Sequence, residues 1–141
     1  MNRQTRTALL WAFIPMGYIF HTLCELMPLF AGLSVATEEM TTEMLPAMTT
    51  FTGWALYLVP LVGLLCSCYG KRRWSTIVSF VLACLTLLLN VWHLCTDLLP
   101  HFSWAQAAIL PFVCVVAALL VIDLWKELRT SKAQCAQRFE S

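Results

Sequence analysis

The sequence predicts an all-α polytopic membrane protein, a bundle of four transmembrane helices that makes residues 1–141 a single membrane domain with both termini cytoplasmic. Three observations predict it. First, the chain is 60% hydrophobic and 12% charged, with mean hydropathy +0.73, whereas a water-soluble domain is about 45–50% apolar and 25% charged. Second, the apolar residues fall in four runs, Ala8–Phe30, Phe51–Tyr69, Trp74–Leu99 and Ala105–Trp125, each near the roughly 20 helical residues that cross a bilayer. Third, Lys and Arg occur only on alternate connections. Arg3 and Arg6 precede the first run, Lys71, Arg72 and Arg73 separate the second from the third, and Lys126, Arg129, Lys132 and Arg138 follow the fourth. The positive-inside rule therefore places both termini and the middle connection in the cytoplasm of a cell (cytoplasmic or inner) membrane. Residues 126–141 become a cytoplasmic tail, and the loop holding Glu38, Glu39 and Glu43 faces outward. A net charge of +1 offers no field for nucleic acid, so the first expected partners are membrane lipids.

The first run has a basic start, as a signal peptide would, but at about 23 residues it exceeds a signal core of roughly 7–15, so it reads as a retained helix. Pro15 and Gly17 lie in its middle and Pro60 in the second run, where membrane helices tolerate them. In the loop between, Glu38–Met48 predicts a short surface helix ended by Pro46. The basic turn before Trp74 makes the second and third helices antiparallel neighbours, and the short Pro100–Trp104 loop does the same for the third and fourth. Trp11, Trp74 and Trp125 near the inner ends, with Trp54 and Trp104 near the outer ends, read as an interfacial aromatic belt. Trp92 lies deeper and is expected inside or beside a polar stripe, while Asp123, close to Lys126 and Glu127, is expected to be solvated.

Ionisable groups in the hydrocarbon cost about 2.5–3.5 kcal/mol each at the centre of a span, so each needs a partner or a task. Here they form two stripes. The first helix carries Tyr18, His21 and Glu25, and the third carries Thr86, Asn90, His93 and Asp97, all at steps of three and four that align one helix face. Both helices run outward, so His21/Glu25 and His93/Asp97 fall at matching depth in the outer leaflet. If the two helices face each other, these four groups converge on an outward-facing site, with Tyr18, Cys24, Asn90, Cys95 and His101 as accessory groups. Two imidazoles and two carboxylates suit a divalent metal such as zinc. They suit equally a proton relay or protonatable ligand, and mutual His–carboxylate pairing that relieves desolvation.

Other chemistry is weakly supported. Carboxylates one turn from each histidine disfavour a haem slot, and no Gly-x-Ser-x-Gly motif positions a nucleophile, so no catalytic residue is assigned. The seven cysteines form no disulfide framework. Cys66 and Cys68, with Cys135, read as small buried residues rather than a soft-metal site. Met27, Met40, Met44 and Met48 are too irregularly spaced for copper(I).

In size, helix count and orientation, with Trp74 after a basic turn and His93 in the third helix, the chain resembles the small four-helix mercury-uptake membrane proteins of the MerC type. That family carries a cysteine pair in its first helix; His21, Cys24 and Glu25 stand there instead, so mercury transport is not carried over. The His21-x-x-x-Glu25 spacing, with Asp97 later, resembles the sterol-isomerase and sigma-2-receptor membrane superfamily, which implies acid–base chemistry in a lipid-facing cavity. Three function classes follow: a binding site used for transport or sensing, a non-enzymatic accessory subunit of a membrane complex whose polar pairs are structural, and an enzyme acting on a lipid-like substrate. A transporter of this size would call for a homo-oligomer or a membrane partner subunit.

Overall fold

A computed structural model describes residues 1–34, 44–70, 73–98 and 104–140, with the side chains of Met48, Asp97, Leu98, 104–106 and 132–140 outside that description. Every regular element among the described residues is helical, in four spans: α1 (Arg3–Phe30), α2 (Leu45–Tyr69), α3 (Arg73–Leu98) and α4 (Trp104–Glu140). All four contain a stretch long and apolar enough to cross a membrane.

α1 begins five residues before its apolar run because Asn2 caps it, its Oδ1 accepting the Thr5 N–H at 2.7 Å. It ends in a Schellman motif. Gly32 adopts φ +75°, its N–H reaches Leu29 O, and the Leu33 N–H reaches Pro28 O. α2 corrects the sequence expectation for Pro46. That proline opens the span instead of closing a surface helix, since the first turn of a helix has no use for the missing N–H; Glu38, Glu39 and Glu43 lie outside the described residues. Between Gly53 and Leu58 the span widens into a π-helical turn, and the Val59 N–H bonds back five residues to Trp54 O. Pro60 follows directly, so the wide turn sits where the proline ring would crowd the Leu56 carbonyl. α4 continues through the expected tail to Glu140, because Lys126–Gln137 contains neither Gly nor Pro and is rich in good helix formers.

The spans pack as a ring in which α1 meets α2, α2 meets α3, α3 meets α4 and α4 meets α1, leaving α1 and α3 on the diagonal. The core is Trp11, Ile14 and Tyr18 of α1, Ala83 of α3, and Val113, Val116, Ala117, Leu120 and Leu124 of α4. Two glycines set the helix distances. A Cβ on Gly17 would lie 2.3 Å from Val113 Cγ2, and one on Gly63 would lie 2.4 Å from the Trp11 ring. Large apolar side chains, among them Phe20, Leu88, Trp92 and Phe112, cover the outside of the bundle. Such an exterior suits an apolar solvent, and the four helices make the chain a candidate multi-pass membrane protein by length and composition.

The tryptophans divide differently from the belt expectation. Trp54, Trp74 and Trp125 are exposed, as a belt requires, but Trp11 is fully buried and belongs to the core. Trp92 faces outward at 71% exposure instead of joining the stripe, because it precedes the inward-facing His93 by one residue, about 100° of helix rotation.

Candidate functional site

The two ends of the bundle are distinguished by what α1 and α3 bring together between them. The terminal end holds the chain start, the α2–α3 turn and residues 123–131 of α4; the distal end holds the close of α1 and α3 and the starts of α2 and α4.

At the distal end the stripes of α1 and α3 meet. His21 Nε2 and His93 Nε2 are 3.3 Å apart, with ring centroids 5.3 Å apart and the ring planes at 87°. Glu25 Oε1, one turn on from His21, is also 3.3 Å from His21 Nε2. His21 is buried, His93 partly so, and the Glu25 side chain is 45% exposed. One layer deeper, Asn90 Nδ2 donates to Tyr18 Oη at 2.6 Å and to the Thr86 carbonyl at 2.7 Å. The Tyr18 ring meets Tyr57 of α2 edge to face.

His21, Glu25, His93, Tyr18 and Asn90 are therefore brought together as the spacing predicts. Asp97 lies on α3 with its side chain outside the description, and His101 lies outside the described residues. Cys24 is half-buried and Cys95 exposed; Cys95 stands two residues past His93, which turns it off the stripe. Among the described residues no group of three or more His, Cys, Asp or Glu side chains is placed to hold a metal ion.

The hydrogen-bonding logic around His21 Nε2 is unusual. This one nitrogen faces two partners, and a neutral imidazole nitrogen carries at most one proton. A single N–H divided between His93 and Glu25 makes two long, weak bonds at 3.3 Å. Two nitrogens each about 2.0–2.1 Å from a tetrahedral zinc stand roughly 3.3–3.4 Å apart, which matches the imidazole spacing.

At the terminal end lies a group of contacts that the stripe reading did not reach. Arg6 Nη2 donates to Asp123 Oδ1 at 2.7 Å and Nε to Oδ2, a two-pronged pair. Asp123 is thus 8% exposed, not solvated, since Arg6 on α1 sits at its depth and faces it. Trp11 Nε1 donates to Ser79 Oγ at 3.0 Å, and Ser67 Oγ lies 3.4 Å from the same hydroxyl. Gln4 donates to the carbonyls of Ser67 and Cys68, and Ser75 to that of Cys66, which satisfies the end of α2. Between these groups is a cavity of about 360 Å³ whose wall includes Arg3, Gln4, Thr7, Ser67, Ser79 and Glu127. One signal could have found this region. Continued toward the chain start at the same steps of three and four, the α1 stripe passes Ile14, Trp11 and Thr7, and the α3 stripe passes Ala83 and Ser79.

A separate groove of about 380 Å³ between α1 and α4 is lined by Phe13, Met16, Gly17, Phe20, Ile109 and Phe112. It contains no ionisable side chain, and Glu25 is not part of it. Comparison with protein-family models, curated proteins and solved structures gave no match to this chain.

Proposed function

We propose that the chain is a small membrane protein with both termini cytoplasmic, and that His21, Glu25 and His93 form an outward-facing site for a divalent cation of the zinc type, used in transport or sensing. Asp97, one turn after His93, supplies the fourth ligand in this reading. Tyr18 and Asn90 brace the histidines from the layer below. The observation that carries the proposal is the 3.3 Å approach of two imidazole nitrogens on diagonal helices, with a carboxylate at the same distance from one of them. The orientation is supported by the strict alternation of basic residues between connections.

Metal binding displaces the proton at His21 Nε2, so affinity falls as the medium is acidified. Elemental analysis of detergent-purified protein tests the proposal directly. About one zinc per chain after loading and dialysis is expected for the wild type and none for His21→Ala/His93→Ala. Equal metal in both, or none in either, sinks the ligand assignment.

One observation favours a rival. The Asn90–Tyr18 and Trp11–Ser79 bonds show polar pairs joining the same two helices with no ligand needed. An accessory subunit whose histidine pair is one more interhelical bond has the same appearance. In that case His21→Ala weakens the fold, and zinc leaves the melting temperature of the wild type unchanged.

A further inference from the structure

The bonds that tie the terminal end also decide what the walls of its 360 Å³ cavity have left to offer. Among the described residues five hydroxyls line it, those of Thr7, Ser67, Ser75, Thr76 and Ser79, and each has its proton committed within the protein. Thr7 donates to the Arg3 carbonyl, Ser67 to the Gly63 carbonyl, Ser75 to the Cys66 carbonyl and Thr76 to Glu127 Oε1. Ser79 Oγ accepts the Trp11 N–H. Since Ser67 has given its proton to Gly63, the 3.4 Å contact between the two serines uses the proton of Ser79. Both amide hydrogens of Gln4 go to the carbonyls of Ser67 and Cys68. What remains for a guest is lone pairs, on the hydroxyl oxygens, on the Gln4 side-chain carbonyl and on the second oxygen of Glu127.

Two charges of opposite sign share this wall. Arg6 is spent on Asp123, which leaves Arg3 as the cation lining the cavity and Glu127 as the anion. Among the described residues Arg3 and Glu127 form no ion pair with each other. Thr7 and Ser79 are buried and Glu127 is half-buried, so part of the acceptor surface is shielded from bulk water, where bonds to a charged group are stronger. A bare cation would suit the lone pairs but meet Arg3. A bare anion would suit Arg3 but meet Glu127 and a wall without spare protons.

We propose that the terminal cavity binds a small zwitterion with a primary ammonium group. The ammonium donates its N–H groups to Glu127 and the hydroxyl oxygens, and Arg3 holds the carboxylate or phosphate at the other end of the molecule. The volume, about 360 Å³, is at the small end of the roughly 300–1,000 Å³ of ligand pockets, which fits a guest of amino-acid size. The cross-helix bonds hold the walls in place before the guest arrives, so little ordering is left for binding to bring about. A free amino acid and the phosphoethanolamine headgroup of a lipid both carry this chemistry. The inference is independent of the histidine site and of the orientation proposed above.

The test is isothermal titration calorimetry on full-length protein in detergent, with glycine and phosphoethanolamine as probes. At least one is expected to bind at millimolar concentration, one per chain. Glycine betaine and phosphocholine, whose trimethylammonium groups have no N–H to donate, should bind about tenfold more weakly than their primary-ammonium counterparts, and Glu127→Gln and Arg3→Gln should each weaken the bound probe by a similar factor. Glu127→Asp keeps the charge and should retain most of the affinity, which separates loss of the site from loss of the fold. His21→Ala/His93→Ala should bind the probe as wild type does. In nanodiscs of phosphatidylethanolamine the free probe is shut out if the headgroup is the natural occupant. If the occupant is a free solute, the probe binds there as it does in phosphatidylcholine nanodiscs. No binding of either probe in detergent, equal binding of the trimethylated compounds, or affinity unchanged in both Glu127→Gln and Arg3→Gln overturns the proposal. Zinc binding without probe binding leaves the histidine site standing and removes this one; probe binding without zinc binding does the reverse.

Discussion

The two ends of the bundle are built from the same kinds of residue and are held in different ways. At the terminal end several polar groups are tied across helices. Arg6 reaches α4, Gln4 reaches the end of α2, and Trp11 reaches Ser79 while its ring fills the notch over Gly63. At the distal end α1 and α3 meet through the long His21–His93 contact and the Tyr18–Asn90 bond, Glu25 reaches His21 within α1, and α2 opens beside them in a π-helical turn without one buried residue. The difference teaches where function belongs. Bonds across helices with close packing make an anchor, whereas a histidine pair beside a half-exposed carboxylate at a loosely covered end is where the proposed site lies.

The sharpest way to break this comparison is Trp11→Ala. Removing a fully buried indole should cost about 3–5 kcal/mol in a reversible denaturation experiment in mixed micelles, while the zinc content of the folded fraction stays at the wild-type level. A loss of zinc in step with stability would mean that the ends are one unit.

The next effect belongs to the distal end. Zinc at a hundred times its dissociation constant should stabilise the wild type by about 2.7 kcal/mol, read as a rise in melting temperature, and should do nothing for His21→Ala. Acidifying the buffer should shrink the wild-type gain, since protonated imidazoles cannot ligate. A zinc effect that persists in the variant would move the site elsewhere.

Gly63→Ala is expected to cost about 1–3 kcal/mol, because its methyl group would overlap the Trp11 ring. Paired with Trp11→Leu, which vacates part of that space, the penalty should largely disappear, and a double-mutant cycle measures the coupling. The smallest effect is Asp123→Asn. It leaves one acceptor for Arg6, since the new amide NH2 cannot accept, and removes the charge, and with half of Arg6 in contact with solvent the loss should be about 1 kcal/mol and diminish in high salt.

Much of the distal site was legible because a helix repeats its faces every three or four residues. Tyr18, His21 and Glu25, or Asn90 and His93, can share a direction without reference to anything else in the fold. The terminal anchor was not legible in that way. Arg6 and Asp123 are 117 positions apart, and each alone looks like an interfacial charge free to reach water. Trp11 fits an aromatic belt equally well until Gly63 is seen to leave a space for its ring.

By itself the sequence determined the four apolar spans, their antiparallel order and the polar faces of α1 and α3. These follow from composition, run length and helical period, which are properties of the chain taken one segment at a time. Only the tertiary structure decided that those faces meet on the diagonal, that Trp92 turns away while Trp11 turns in, and that Asp123 pairs with Arg6. The physical reason is that helix rotation and distance are set by small and large side chains fitting across helices, as at Gly17 with Val113 and Gly63 with Trp11. No single helix contains both halves of such a fit.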